Sequence, residues 1–221
     1  MSIRKTAFVP EEYYHIYNRG NSKQKIFTSK KDYERFVALL YGVNTSQRFN
    51  FFDFKKGDGI FSKELENPLV SIGAYCLMPN HFHLLVTPLS EEGLSKFMQK
   101  LSTSYVMYFN RIYKRTGGLF EGKFKSIHIE NDKQLKYLFS YIHLNPIKLI
   151  DSKWKENGIK SLESAFEYLN TYQYSSFLDY AENNRKGKSI LKIIDFPNYF
   201  PSKKSLKKEI IDWLKYKEEN R

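Results

Sequence analysis

His81 and His83 stand one residue apart in MPNHFHLL, residues 78–85. In a β-strand the side chains of residues i and i+2 point to the same face, so an extended backbone sets these two imidazoles side by side. Two imidazoles on one strand suit a divalent cation such as Mg²⁺, Mn²⁺ or Zn²⁺, with other groups completing the shell. Phe82, Leu84 and Val86 then occupy the other face and can bury against helices. H-x-H also arises in strands with no chemical task, and the pair alone leaves both readings open.

A second constellation lies sixty residues on, in YIHLNP, residues 141–146. The apolar spacing of Leu135, Leu138, Phe139 and Ile142 predicts a helix over 133–145. Tyr141 falls on the flank of that apolar face, and Asn145 one turn further along the same flank. His143 projects from the opposite flank. A phenol and a carboxamide on one edge can meet the two histidines if the helix packs across the sheet. A phenol is a weak nucleophile, with a free pKa of about 10. A metal polarising a phosphate beside it would ease its attack. With 17 tyrosines in the chain, an ordinary amphipathic tyrosine at a core edge is the plainer alternative.

Bulk charge points to the class of partner. Thirty-six basic residues against 24 acidic leave a formal +12 over 221 residues. Such an excess favours a polyanion, nucleic acid first and an anionic membrane second, with a solvated basic surface as the bland reading. No basic amphipathic helix stands out for a membrane surface, and no apolar run approaches the ~20 residues of a membrane span. The basic start of the chain is not followed by the apolar segment of a signal peptide. The single cysteine, Cys76, permits no intrachain disulfide. These features predict a cytoplasmic protein in which Cys76 is a plain core residue.

The elements that would position these residues follow from periodicity. Residues 13–18 read as a strand, and Ser29 with Asp32 as the cap of a helix over 30–42. Residues 43–68 read as a long connection that could hold a small hairpin. Residues 69–77 form a buried strand and 81–87 a second one, antiparallel to it. A long helix runs from the glutamates after Ser90 to about 113, and a short strand lies near 124–129. Asp132 can cap the helix over 133–145, and Pro146 should end it. Short helical stretches fill 151–200, and a basic helix covers 202–220. The order β-α-β-β-α-β, then one more helix, is that of an α+β fold: a ferredoxin-like antiparallel sheet with helices on one face.

Four segments in this order, YHIYNRG, AYCLMPNHFHLLV, GGLFEGKFKSIHIEN and YIHLNPIK, closely resemble the single-tyrosine HUH transposases of the IS200-like type. Within them the match is best to the REP-associated tyrosine transposase branch. The resemblance covers about residues 10–150, the transposase domain being 1–150, with a weaker echo in QYSSFLDY, residues 173–180. It implies that His81 and His83 are the metal-binding pair and that Tyr141 is the catalytic tyrosine on the added helix. Asn145 occupies the place of a further polar ligand, which varies within the broader group. The implied cofactor is Mg²⁺ or Mn²⁺. The implied activity is cleavage and rejoining of single-stranded DNA, often beside a hairpin, through a covalent 5′-phosphotyrosine and a free 3′-hydroxyl. A cytoplasmic, nucleoid-associated protein of a prokaryote is the implied setting.

Charge and aromatics suggest how DNA would be held. Arg19, Lys123 and Lys125 are candidates for backbone contacts. Phe120 and Phe124 lie among basic residues and can stack on unpaired bases, worth ~1–3 kcal/mol each, or else belong to the core. The connection 43–68 and the extension 151–221 exceed the compact family pattern and could hold hairpin DNA. The extension favours a monomer over a homodimer that exchanges tyrosine helices. Two rival readings remain: a catalytically silent nucleic-acid-binding regulator, and a metal-dependent nuclease in which water attacks.

Overall fold

The computed structural model describes residues 7–49, 60–62, 64–181 and 185–215. Strands Tyr14–Arg19 (β1), Val70–Met78 (β2), His81–Pro88 (β3) and Lys125–His128 (β4) form one sheet of four strands in the order β2-β3-β1-β4. Each neighbouring pair is antiparallel, which is the ferredoxin-like arrangement the element order predicts. Helix α1 spans Lys30–Gly42, α2 Gly93–Ile112 and α3 Asp132–Leu144. The short helices α4 (Trp154–Asn157), α5 (Leu162–Thr171) and α6 (Phe177–Ala181) follow, and Lys203–Lys215 is α7. None of the described helices is long and apolar enough to cross a membrane.

The helices are not confined to one face. Ile16, Tyr75, Leu77, Phe82, Leu84 and Val86 bury with Phe36 and Leu39 of α1 and Phe97, Leu101 and Tyr105 of α2. The other face carries Ala74, Cys76, Met78 and Leu85, and these bury with Leu135, Leu138, Phe139 and Ile142 of α3. Apolar residues on both faces of the central strands require cover on both sides, and α3 supplies the second layer. Cys76 is a buried free thiol, as the sequence suggests.

A bulge at Gly73 sets the register of β2. Pairing with β3 shifts between Ile72 and Ala74, so residues 70 and 72 share a face with 75 and 77. A Cβ at Gly73 would meet the Phe196 ring at 2.8 Å. The extension docks along the outer edge of β2. The Leu77 amide donates to the Tyr174 carbonyl and the Ser176 amide to the Tyr75 carbonyl, both at 2.9 Å. Leu144, Ile147, Trp154, Leu169, Phe177 and Ile210 form a further buried cluster that ties the extension to the end of α3.

Local details depart from expectation in two places. The cap of α3 is Asn131, whose side chain accepts from the Gln134 amide at 2.9 Å. Asp132 instead lies in the first turn, where a carboxylate favours the positive end of the helix dipole. The α-helix ends before Pro146 as expected, but Asn145 is not driven from helical geometry. Asn145 keeps φ −54° and ψ −39°, and Asn145–Leu149 continues as a 3₁₀ turn, whose first turn needs no amide from proline. The expected hairpin within 43–68 falls largely on residues 50–59, outside the described residues, as do residues 216–220 of the expected terminal helix.

Asp32 joins α1 to the end of α2. Its fully buried carboxylate accepts from the Thr28 and Ser29 amides at 2.8 Å and from the hydroxyls of Tyr113 at 2.8 Å and Tyr108 at 3.0 Å. Burial pushes its pKa up, but the hydrogen bonds from Thr28, Tyr113 and Ser29 outweigh it and leave the pKa lowered. A lowered folded pKa contributes stability above the unfolded value of about 3.9 and loses it as pH falls through the folded value. Asp32→Ala should therefore cost about 3 kcal/mol in urea unfolding at pH 7. The gap between wild type and variant should narrow as pH falls below the unfolded value and through the lowered folded one.

Candidate active site

The alternation of β3 puts His81, His83 and Leu85 on the α3 face of the sheet. Register places Arg19 opposite His81 and Tyr17 opposite His83, so His15, Tyr17 and Arg19 of β1 share that face. On β4, Lys125 lies opposite Tyr17 and joins them. The rings of His81 and His83 are 4.9 Å apart at 88°.

Helix α3 crosses this face and brings Tyr141 to it. The Tyr141 ring lies 5.4 Å from that of His83 and 5.9 Å from that of His15, edge-on to both. Burial raises the pKa of the phenol, and the Asn145 carboxamide beside it acts in the opposite sense. Asn145 is buried; its Nδ2 donates to the Tyr141 carbonyl at 2.8 Å, while Oδ1 has no hydrogen-bond partner. His143 points away from the site, buried, with Nε2 2.9 Å from Ser176 Oγ.

Three further residues enter the site that the sequence did not single out. His15 Nε2 lies 2.8 Å from His83 Nδ1, so three of the chain's five histidines meet here. Lys155 Nζ stands 4.6 Å from the centroid of the Tyr141 ring and Lys148 Nζ 5.8 Å. Burial lowers His15 to about 4. Burial, with Lys148 and Arg19 nearby, lowers His81 to about 4. His83 is held well below its usual value by burial, the other two histidines and the two lysines. All three imidazoles are thus neutral at pH 7, the form in which histidine ligates a metal.

The remaining candidates divide by strand parity. Arg19 and Lys125 are exposed beside the site, Arg19 in an ion pair with Glu121, and Lys123 is exposed in the turn before β4. Phe120 and Phe124 are half-buried on the opposite side. Phe120 packs edge-on against Phe82 at 5.9 Å, and Phe124 stacks on Phe8 at 6.3 Å. The structure therefore brings together His81, His83, Tyr141, Arg19 and Lys125, and packs the two half-buried phenylalanines against the main core.

A divalent ion is compatible with these side chains. Among the described residues no group of three or more His, Cys, Asp or Glu is arranged to hold one, so a third protein ligand must be of another type. A buried carboxamide oxygen without a hydrogen bond is costly unless something binds it, and Asn145 Oδ1 is such an atom. Imidazole nitrogens and a carboxamide oxygen are donor types that divalent metal ions accept.

Comparison with known proteins bears on family and fold. Residues 55–145 match the family model described as transposase IS200 like. Fourteen solved chains match the protein. One is described as the REP associated tyrosine transposase bound to a REP hairpin, and is similar with a TM-score of 0.51 and 14% identity, covering 83% of this chain and 87% of that one. At that identity the likeness is one of fold. No curated protein matches the sequence.

If Asn145 Oδ1 is a ligand, Asn145→Leu removes a desolvated oxygen while keeping the side-chain volume. Mn²⁺ affinity, read by calorimetric titration, should then fall at least about tenfold. The thermal midpoint should move by less than about 4 °C, or ~1 kcal/mol. Unchanged affinity would remove Asn145 from the ligand set.

Proposed function

We propose that this chain, whose residues 55–145 are of the IS200-like transposase family, is a transposase that cleaves and rejoins single-stranded DNA through a covalent phosphotyrosine at Tyr141. The observation that carries this reading is the seating of the Tyr141 ring 5.4 Å from His83 of the same chain, on a face lined by basic residues.

His81, His83 and Asn145 would hold Mg²⁺ or Mn²⁺. Such an ion, when bound, polarises a non-bridging oxygen of the scissile phosphate. The chain's own residues do the rest. Lys148 and Lys155 place positive charge next to the Tyr141 ring, where the phosphate must lie and where negative charge develops. A phenol is protonated at neutral pH and burial raises its pKa further, so the proton leaves as the bond to phosphorus forms. The Tyr141 oxygen becomes linked to the 5′-phosphate, and the 3′ oxygen departs and takes up a proton. The new ester retains the free energy of the broken bond. A 3′-hydroxyl can therefore attack it and rejoin strands without ATP.

Substrate handling follows from the charge around the site. Arg19, Lys123 and Lys125 hold the backbone of a single strand, and the extension with the lysines of α7 takes the hairpin beside it. A hairpin is the ligand of the fold neighbour, and this chain, with its +12 charge, is suited to the same class. Tyr141 stands beside the histidines of its own chain, which supports a monomer acting in cis; a cytoplasmic setting goes with that reading.

Two measurements test the proposal. Wild type with Mn²⁺ and single-stranded DNA carrying hairpins should yield a protein–DNA adduct on a denaturing gel, and Tyr141→Phe should yield none. Cut ends without an adduct would show that water attacks, and binding without cleavage would leave a regulator. Separately, log Kd should rise linearly with log salt, and Lys125→Ala should reduce that slope by about 0.7–1. A slope that Lys125→Ala leaves unchanged would take this residue off the DNA path.

A further inference from the structure

Both imidazoles of β3 have Nδ1 engaged. His81 Nδ1 lies 2.7 Å from Asn80 Oδ1, and His83 Nδ1 lies 2.8 Å from His15 Nε2. A carboxamide oxygen only accepts. Neutral His81 therefore carries its proton on Nδ1 and presents the Nε2 lone pair. The partner of His83 is less restrictive, because an imidazole nitrogen either donates or accepts. If His15 donated, His83 would carry its own proton on Nε2 and offer no lone pair there. If His15 accepts, His83 takes the same tautomer as His81.

We propose that His15 is a positioning residue that accepts the Nδ1 proton of His83 and so holds that imidazole, as Asn80 holds His81, with Nε2 free for the metal. This rests on the reading of His81 and His83 as ligands. The enclosure of the pair makes the role specific. His15 and His83 are 8% and 6% exposed, so water is poorly placed to replace the missing partner. The pair is diagonal across the β1–β3 ladder, since His15 lies opposite Leu85 and Tyr17 opposite His83. Backbone pairing thus fixes the distance, and the hydrogen bond fixes the ring. Asn80 plays the equivalent part for His81 from the preceding turn. Each proposed ligand has its own outer partner, the usual means of setting a metal-bound histidine's tautomer and orientation.

His15 also touches the Tyr141 and Tyr17 rings, so its replacement must keep an aromatic volume. His15→Phe keeps the ring and removes the acceptor, and His15→Gln restores an acceptor at the end of a longer side chain. In metal-free wild type, ¹⁵N–¹H correlation spectra of the imidazoles should show His83 protonated on Nδ1. A proton on Nε2 would overturn the proposal whether or not either variant folds. In calorimetric titrations with Mn²⁺ alone, His15→Phe should bind about 10–100-fold more weakly, and His15→Gln should recover part of that loss. A folded His15→Phe with wild-type Mn²⁺ affinity would also overturn it. If wild type itself took up no Mn²⁺, the metal reading of the site would fall, while the tautomer of His83 would still decide the role of His15.

Discussion

In β3, successive side chains must go to opposite faces of the sheet, and both faces are buried. Phe82, Leu84 and Val86 go to the large core under α1 and α2, and Leu85 goes to the core under α3. A slip of one residue would send Phe82 into the polar face and both histidines into an apolar core, at the cost of desolvated imidazoles without partners. The hydrophobic pattern of one strand therefore fixes where its histidines point. The β1 and β4 registers then follow, and with them His15, Arg19 and Lys125.

The second layer turns this polar stripe into a site. Helix α3 is anchored by Leu135, Leu138, Phe139 and Ile142, which leaves Tyr141 on its edge against His83 and His15. The extension presses on the same helix through Leu144, Ile147 and Trp154, and the chain that leaves α3 carries Lys148 and Lys155 back over the Tyr141 ring. The extension is thus part of the packing that holds the tyrosine, whatever else it binds. The resulting environment combines neutral, desolvated imidazoles with nearby positive charge, a setting that favours an incoming anion over a water-filled cleft.

Some of this was legible in the residues and some was not, for physical reasons. His81 and His83, and Tyr141 with Asn145, are related by local periods of two and four residues, so spacing alone puts each pair on one face. The ferredoxin-like order is legible for the same reason. His15 was not, because its approach to His83 depends on a register between strands some seventy residues apart. Lys148 and Lys155 come from a stretch with no clear period, past the proline that ends α3. The layer on which α3 packs was also missed. The bulge at Gly73 reverses the faces of β2, and in a strand buried on both sides composition carries no alternation to read. Phe120 and Phe124 have the composition of a base-stacking pair, and in the fold both are partly buried against the main core.

The central claim is that one chain builds a metal-and-tyrosine site from the α3 face of β3 and the edge of α3. An anomalous difference map from a Mn²⁺-soaked crystal tests it most directly. The account predicts one peak bonded to Nε2 of His81, Nε2 of His83 and Oδ1 of Asn145, with Tyr141 of the same chain beside it. A peak bonded through Nδ1, a peak away from β3, or a Tyr141 supplied by a neighbouring chain would contradict it.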